Sequence, residues 1–189
     1  DSEKKLELQL SERASYDFLS QLYNRSTFER ELKSEIERSA HAKVAVLFID
    51  VDDFKFINDR FGHSVGDEVI KYVAGCIKQR VKGSGFAGRF GGDEFVLCIT
   101  DPKQIEEIES LSLDLIDELY EGYHSELANV SINVKASIGI AFYPEHGDDS
   151  NKVVAAADEA MYFVKKNGKA NYHIYQPEDS EMEDLQHTL

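Results

Sequence analysis

Two acidic residues, Asp93 and Glu94, follow a pair of glycines in the segment RFGGDEFVL, residues 89 to 97, where an apolar run begins. A third acid, Asp50, ends another apolar run, VAVLFID, residues 44 to 50. If these acids meet at the ends of neighbouring strands, their charges repel one another unless a cation lies between them. Oxygen ligands suit Mg²⁺, which commonly binds through one or two carboxylates and substrate phosphates. Taken alone, a turn of two glycines and two acids is more often a solvated acidic hairpin turn than a metal site.

The next segment, DDFKFINDRFGHSVGD at residues 52 to 67, is predicted to be a loop that opens a helix at Gly66. Backbone N–H groups at such a helix start can bind phosphate, and Lys55 adds a positive charge for it. Asn58 and Asp67 together could read a purine edge, because a carboxylate accepts hydrogen bonds from the ring N–H and exocyclic amine of guanine. Without further context, an Asx cap for Asn58 and a helix N-cap for Asp67 explain these residues better.

The composition restricts the partners of the chain. A formal charge of −15, from 21 basic and 36 acidic residues, opposes binding to nucleic acid or to an anionic membrane surface. Two cysteines, Cys76 and Cys98, are too few for a disulfide framework and fit a reducing cytoplasm. Because the first residue is Asp, we expect a fragment of a larger protein whose membrane anchor or sensor would lie upstream.

Apolar periodicity predicts the elements that position these residues. It favours helices over residues 24–40, 67–81, 103–121 and 150–167, the last capped by Ser150, and strands over residues 44–50, 86–90, 94–100, 130–142 and 172–175. Residues 44 to 142 then spell βαββαβ, the order of a ferredoxin-like α+β palm with a central, mainly antiparallel sheet flanked by helices. An extra helix and strand follow it. In this arrangement the first and third strands are central neighbours, so Asp50 is predicted to lie near Asp93.

Three regions are expected along the chain. Residues 1–15 are highly charged, with Leu6 and Leu10 one turn apart, and predict an exposed helix that connects to a missing upstream sensor. Residues 16–176 are expected to form the one folded domain, which contains the acids described above. The acidic tail, residues 177–189, is predicted to be disordered because it contains few apolar residues.

The chain resembles the GGDEF domain of bacterial diguanylate cyclases over roughly residues 17 to 175. Four separated motifs in the family's order carry the resemblance: DFLSQLYNR at 17–25, FIDVDDFKFINDRFGHSVGD at 48–67, RFGGDEF at 89–95 and ADEAMYFVKKNGKAN at 157–171. The family's fold is a ferredoxin-like palm, in agreement with the predicted strand order. The reaction implied joins two GTP molecules into cyclic di-GMP with release of two pyrophosphates. Because the product is symmetric and the domain has one nucleotide site, turnover is expected to need a homodimer.

The resemblance also implies a role for individual residues. Mg²⁺, or Mn²⁺ in its place, would be held by the Asp50 and Asp93 side chains and the Val51 carbonyl. Glu94 would be the proton acceptor or a further metal contact, and Asp93 is the other possible acceptor. The remaining implied contacts are guanine and ribose at Asn58, His63 and Asp67, and phosphate at Lys55, at the Asp53 and Phe54 amides, and at Lys165 and Lys169. Without the resemblance, Lys165 and Lys169 would be interpreted as solvated residues at the end of a helix, and Phe54 as a packing residue.

The sequence departs from the family at the site where product inhibits many members. Those members carry Arg-x-x-Asp, whereas this chain has Lys82 and Gly85 at the two positions. The bidentate guanidinium and its carboxylate partner are both missing, so binding of cyclic di-GMP there is predicted to be weak or absent. Lys169 also replaces a frequent arginine, and Ser20 replaces the usual threonine of the first motif.

Three functions remain open on the sequence. An active diguanylate cyclase is favoured because every expected metal, base and phosphate residue is present. A GTP-binding regulatory module without turnover is the alternative, although such members typically lose one of the acids or lysines. A cyclase with adenine preference is disfavoured by the carboxylate at Asp67.

Overall fold

A computed structural model describes residues 1–38 and 41–180 of the chain. In these ranges the helices are α1 (Ser2–Ser15), α2 (Arg25–Glu37), α3 (Phe54–Phe61), α4 (His63–Val81), α5 (Ile105–Glu121) and α6 (Ser150–Lys166). The strands of the same ranges are β1 (Tyr23–Asn24), β2 (Val44–Val51), β3 (Gly85–Gly91), β4 (Glu94–Thr100), β5 (Tyr123–Ser125), β6 (Val130–Ile132), β7 (Ala136–Tyr143) and β8 (Tyr172–Ile174).

The main sheet has the order β1-β3-β4-β2-β7-β8 within the described residues. Its central strand, β2, is antiparallel to both β4 and β7. The order of the four central strands is that of a ferredoxin-like palm, and the predicted α+β fold is confirmed. The edge strands β1 and β8 pair in parallel with β3 and β7; the apolar pattern predicted β8 but not the two-residue β1.

Helices cover both faces of the sheet, and alternate residues of β2 divide the core between them. The odd-numbered residues Ala45, Leu47 and Ile49 pack with apolar residues of α4 and α5. The even-numbered residues Val44, Val46 and Phe48 pack with apolar residues of α2 and α6. Because side chains alternate along a strand, Asp50 and the following Asp52 continue the row that faces α2 and α6.

Helix α6 packs on β7 at very short range, and a glycine makes this possible. A Cβ atom at Gly139 would lie 2.0 Å from the Ala157 carbonyl oxygen and 2.1 Å from the Met161 backbone nitrogen. Any larger residue would push α6 away from the sheet. Since Lys165 lies in the last turn of α6, this contact also sets how close Lys165 comes to the end of β2.

The segment predicted to be a loop, residues 52 to 67, is mostly helical. Helix α3 spans Phe54–Phe61, and α4 begins at His63 and not at Asp67. Phe54 and Ile57, three residues apart, pack against the core and stabilise α3 on one face. Gly62, with φ of 90°, separates the two helices in a conformation that favours glycine.

The strand predicted over residues 130–142 is divided in two. β6 pairs with β5 in a separate two-stranded sheet, and only β7 joins the main sheet. Between β6 and β7, Val134 N–H donates to the Leu119 carbonyl. The chain therefore leaves the strand ladder at this point, although its apolar alternation continues. A smaller correction concerns α6, which is capped by Asp149, whose side chain accepts from Lys152 N–H, and not by Ser150.

The two ends of the described chain differ from each other. Helix α1 is exposed as predicted, with Leu6 57% and Leu10 54% accessible. Residues 177–180 form a helical turn in place of the predicted disorder, because Asp179 is buried and its carboxylate contacts His173 Nε2 at 3.1 Å. The rest of the predicted disordered tail, residues 181–189, lies outside the described residues. None of the described helices is long and apolar enough to cross a membrane.

Candidate active site

The acidic residues at 50, 93 and 94 meet where the central strand β2 ends and the neighbouring strand β4 begins. Asp50 is the direct cross-strand partner of Glu94. Val51 N–H donates to the Asp93 carbonyl over 3.2 Å, which holds the glycine turn against the end of β2. The predicted proximity of Asp50 and Asp93 is therefore confirmed, and it follows from the antiparallel pairing of the first and third palm strands.

The Asp50 carboxylate lies in an unfavourable environment for a negative charge. Its Oδ1 atom is buried and has no hydrogen-bond partner. Burial, followed by the neighbouring Asp93 carboxylate, raises the pKa of Asp50 well above its ordinary value, and the Lys165 ammonium only partly opposes this effect. The Lys165 Nζ atom is 3.7 Å from Asp50 Oδ1. A carboxylate in this position would be stabilised by a further cation.

The donor atoms at this edge fit a hard divalent ion. Asp50 offers an oxygen without a hydrogen bond, the Asp93 carboxylate is adjacent, and both are the oxygen ligands that Mg²⁺ and Mn²⁺ prefer. In residues 1–38 and 41–180, no three or more His, Cys, Asp or Glu side chains form a group that could hold a metal ion. Backbone carbonyl, water or phosphate oxygens would have to complete the coordination, as is usual for Mg²⁺.

A buried carboxylate that the sequence did not single out, Asp52, lies beside this pair. Its Oδ1 atom accepts from Ser137 Oγ at 2.7 Å and from Lys165 Nζ at 2.6 Å. Its Oδ2 atom accepts from Ala170 N–H at 2.9 Å. Both oxygens of this buried carboxylate therefore accept hydrogen bonds, and one of the donors is charged.

The two C-terminal lysines are both directed to the end of β2. Lys165 lies in α6 and contacts Asp52, while Lys169 lies beyond the helix and contacts Asp53 Oδ1 at 2.8 Å. Lys169 has a φ of 61°, and Asp53 has a φ of 56°. Both lysines therefore lie near the end of β2, where each is held by an aspartate, and their contact with a triphosphate stays a prediction.

The residues predicted to bind guanine lie on α3 and α4. Asn58 is half-buried, whereas His63 and Asp67 are exposed. A Cβ atom at Gly66 would lie 1.8 Å from Asn58 Oδ1, so the amide of Asn58 fills the space that this glycine leaves. Neither a turn cap at Asn58 nor a helix N-cap at Asp67 is found, because Asn58 lies inside α3 and Asp67 is the fifth residue of α4.

Lys55 and Phe54 occupy the first turn of α3, close to the end of β2. The Lys55 side chain is exposed and therefore free to approach a phosphate from solvent. Phe54 is half-buried and packs against the core, as expected of a packing residue, while its backbone amide lies at the start of the helix. Amides in such a first turn have no partner within the helix.

Glu94 faces α2 and α6, away from α3 and α4. Burial raises its pKa, followed by the charges of Asp158 on α6 and Asp93, and the Arg25 guanidinium opposes them. Arg25 itself lies over the Phe90 ring, 5.0 Å from its centroid. Asp158 and Arg25 were both part of motifs quoted from the sequence, but nothing in the spacing indicated that they act on Glu94.

The glycine turn is held by an arginine from β3. Arg89 Nε and Nη2 donate to the Gly92 carbonyl at 3.0 and 2.7 Å. Arg89 Nη1 lies 3.2 Å from Asp17 Oδ2. Burial raises the pKa of Asp17, but hydrogen bonds from Ser20 and Arg89 outweigh it, so the pKa is lowered overall. The first motif of the chain is thereby tied to the acidic turn.

Comparison with known proteins points to one family. The sequence profile of the family described as "Diguanylate cyclase, GGDEF domain" matches residues 14–171. The chain is 33% identical over 170 residues to the bifunctional diguanylate cyclase/cyclic di-GMP phosphodiesterase MucR of Pseudomonas aeruginosa, covering 89% of this chain and 24% of MucR. It is 30% identical over 165 residues to the cyclic di-GMP phosphodiesterase PdeR of Escherichia coli, covering 87% of this chain and 24% of PdeR.

A solved structure shows the same fold. The GGDEF domain of TpbB, also called YfiN, from Pseudomonas aeruginosa superposes with a TM-score of 0.85 at 30% identity, covering 89% of this chain and 99% of that one. The chain spans 16% to 24% of the length of four curated relatives that it matches. What those longer proteins do as a whole therefore bears on this chain only as a proposal.

Proposed function

Because the chain belongs to the GGDEF domain family of diguanylate cyclases, we propose that it condenses two molecules of GTP into cyclic di-GMP. In each of two steps the 3′-hydroxyl oxygen of one nucleotide bonds to the α-phosphorus of the other. The bond from that phosphorus to the bridging oxygen breaks, and pyrophosphate leaves with the electron pair. The observation that carries the proposal is the pair of Asp50 and Asp93 beside Lys165 at one sheet edge.

The acidic edge is proposed to hold Mg²⁺, with Mn²⁺ as a substitute. Asp50, Asp93 and the Val51 carbonyl would provide the protein ligands. When bound, the ion would polarise the α-phosphate and favour the alkoxide form of the attacking hydroxyl. The supporting observation is the buried Asp50 oxygen without a hydrogen bond, which is costly to the fold unless a cation is bound there.

The positive residues would bind the triphosphate and stabilise the leaving pyrophosphate. Lys165 and Lys169 converge on the end of β2 from one side, and Lys55 with the Asp53 and Phe54 amides lies at the start of α3. Fixed donors aimed at the phosphates need little rearrangement as charge develops on the leaving group. A flexible surface lysine would lack this advantage.

The guanine base would lie over α3 and α4. Asp67 can accept from the ring N–H and exocyclic amine that guanine presents, whereas adenine has no such pair of donors. Asn58 is held in place by the small residue Gly66, and His63 at the start of α4 would contact the base or ribose. The proposed preference for GTP over ATP rests on this carboxylate and amide.

Glu94 is proposed to accept the proton of the attacking hydroxyl. A general base works best when its pKa approaches the working pH, and burial and the nearby acids move the pKa of Glu94 in that direction. Asp93 is the alternative acceptor, but its proposed place as a metal ligand makes it less available.

Two copies of the chain must face each other for the reaction, since the product joins two nucleotides symmetrically. Helix α1 is proposed to promote this encounter by pairing with the same helix of a second copy through Leu6 and Leu10, which are exposed. Deletion of residues 1–15 should lower turnover at low protein concentration and reduce the measured mass in solution. Unchanged turnover after the deletion would contradict this role of α1.

A regulatory module that binds GTP without turnover is the second candidate. It is favoured by one observation, that PdeR, a relative of this chain, is named a phosphodiesterase. The presence of all three acids and both lysines at the sheet edge argues against it.

The test is incubation of the purified chain with GTP or ATP and Mg²⁺, followed by identification of products by mass. With Mg²⁺ present, we expect cyclic di-GMP and pyrophosphate from GTP and no product from ATP. An Asp93→Asn variant should form no product from either nucleotide. GTP binding without product would support the regulatory module, and a cyclic product from ATP would overturn the assignment of guanine recognition.

A further inference from the structure

The buried carboxylate of Asp52 has more charge than its neutral partners require. Ser137 Oγ and Ala170 N–H donate to different oxygens of Asp52, and both are uncharged donors. Only Lys165 is a cation, and its Nζ atom is 2.6 Å from Asp52 Oδ1. The Asp52 side chain is 0% accessible, and a charge removed from water to this extent needs a charged partner. The ionised form of Asp52 is therefore matched to Lys165.

Lys165 lies between two carboxylates at unequal distances. Its ammonium contacts Asp52 at 2.6 Å and is 3.7 Å from Asp50. The shorter contact accounts for the position of the ammonium, because charge-assisted hydrogen bonds strengthen steeply at short range. If Asp52 were neutral, the nearest remaining anion for Lys165 would be Asp50, the proposed metal ligand.

We propose that Asp52 is a positioning residue that holds the Lys165 ammonium beside the phosphate site and keeps it from neutralising Asp50, so that Asp50 stays available to a divalent cation. The same carboxylate binds Ala170 N–H and so fixes the turn that carries Lys169. The catalytic part of this inference rests on the proposed function, whereas the charge coupling between Asp52 and Lys165 does not.

The charges predict opposite effects for two single substitutions. Asp52→Asn leaves Lys165 to pair with Asp50, so Mn²⁺ binding should weaken by about tenfold or more. Lys165→Met leaves an extra unpaired anion at the same place, so Mn²⁺ binding should tighten. The double variant is neutral at both positions and should bind Mn²⁺ about as tightly as the wild type.

Mn²⁺ binding is measured by electron paramagnetic resonance on the full chain without nucleotide, together with the melting temperature of each variant. Both single variants should melt below the wild type because each removes one partner of the buried Asp52–Lys165 ion pair, and the double variant should recover part of the loss. If Asp52 acted only by supporting the fold, Asp52→Asn would weaken Mn²⁺ binding by the same factor whether residue 165 is Lys or Met. That result would overturn the proposal.

Lys166→Met is the matched control, because it removes a neighbouring lysine whose ammonium lies over the exposed Tyr162 ring, 5.1 Å from its centroid. Its Mn²⁺ affinity should equal that of the wild type. If Asp52→Asn does not fold, the proposal is tested by comparing Mn²⁺ binding in the wild type, Lys165→Met and the double variant. Tighter binding in Lys165→Met that returns to the wild-type value in the double variant supports the proposal, and unchanged binding in Lys165→Met overturns it.

Turnover provides a second readout. With GTP and Mg²⁺, Asp52→Asn should lower kcat about 100-fold through misplacement of Lys165, with little further loss when Lys165 is already Met. Full additivity of the two losses would contradict action through Lys165. If the wild type forms no product, the proposed function fails, and the Mn²⁺ measurements still test the coupling.

Discussion

Asp50 is expected to lower the stability of the metal-free protein and to be required for its activity. Its buried oxygen without a hydrogen bond and its contact with Asp93 cost free energy when no cation is bound. Asp50→Asn removes this charge, so the metal-free variant should gain about 1 kcal/mol of unfolding free energy. Its turnover should fall about 1,000-fold or more through loss of the metal ligand.

The melting temperature in a chelator and the rate of product formation measure these two effects. Asp59→Asn is a control with the same loss of charge at an exposed position on α3, and it should change neither quantity. A destabilised Asp50→Asn variant with full activity would show that this carboxylate does not serve a metal.

Gly66 makes room for the amide that is proposed to read guanine. In a Gly66→Ala variant the new methyl group would collide with Asn58 Oδ1, 1.8 Å away, and displace that side chain. Loss of one hydrogen bond to the base should raise KM for GTP about tenfold with little change in kcat.

Steady-state kinetics with varied GTP would measure the effect. Gly75→Ala is the matched control in the same helix, since no atom lies within 4 Å of its added Cβ. An equal KM in both variants would mean that Asn58 does not contact the substrate.

The β3–β4 hairpin depends on Arg89 for the shape of its turn. The guanidinium binds the Gly92 carbonyl twice and also contacts Asp17. In Arg89→Met the turn that carries Asp93 should become less ordered, and kcat should fall about 10- to 100-fold. The melting temperature should change little, because partly exposed ion pairs contribute at most about 1 kcal/mol.

Arg80→Met provides the comparison, because Arg80 makes an ion pair of 2.7 Å with Glu118 in the α4–α5 contact and not at the turn. Its kcat should remain at the wild-type value. Equal losses of kcat in the two variants would indicate general destabilisation and not a local effect of Arg89 on the turn.

The strands that form the palm could be predicted because their apolar runs are long and buried on both faces. The same method failed at residues 130–142, where the alternation continues but hydrogen bonds from residues 133–135 leave the ladder. It also missed α3, whose polar outer face resembles a loop. Local periodicity reports which residues are apolar, but it does not report where a strand loses its partner.

One part of the candidate site could be predicted from the sequence, and another part could not. The meeting of Asp50 and Asp93 could be predicted, because it follows from strand order alone. The role of Asp52 could not, because its three partners lie 85, 113 and 118 residues away in the sequence. One signal was available: Asp50 and Asp52 are two residues apart, so both point to the same face of the strand.

At the level of the whole molecule, the structure bears on whether cyclic di-GMP, the proposed product, can bind and inhibit the protein. Gly85 replaces the family's aspartate, and a Cβ atom there would lie 1.8 Å from the Cys98 carbonyl oxygen. No side chain can be placed at this position without moving the β3–β4 pair. We therefore expect calorimetry to detect no tight binding of cyclic di-GMP at residues 82–85, and GTP binding in the same sample serves as the positive control. Tight product binding that is lost in Lys82→Ala would contradict this expectation.

In the proposed mechanism, carboxylates from distant parts of the chain share a divalent cation that faces a nucleoside triphosphate. The most direct measurement is anomalous diffraction from crystals grown with Mn²⁺ and a non-hydrolysable GTP analogue. We expect a manganese peak between the Asp50 and Asp93 carboxylates, with the triphosphate beside Lys165 and the base near Asp67. A fully bound nucleotide whose manganese lies away from both carboxylates would contradict the account.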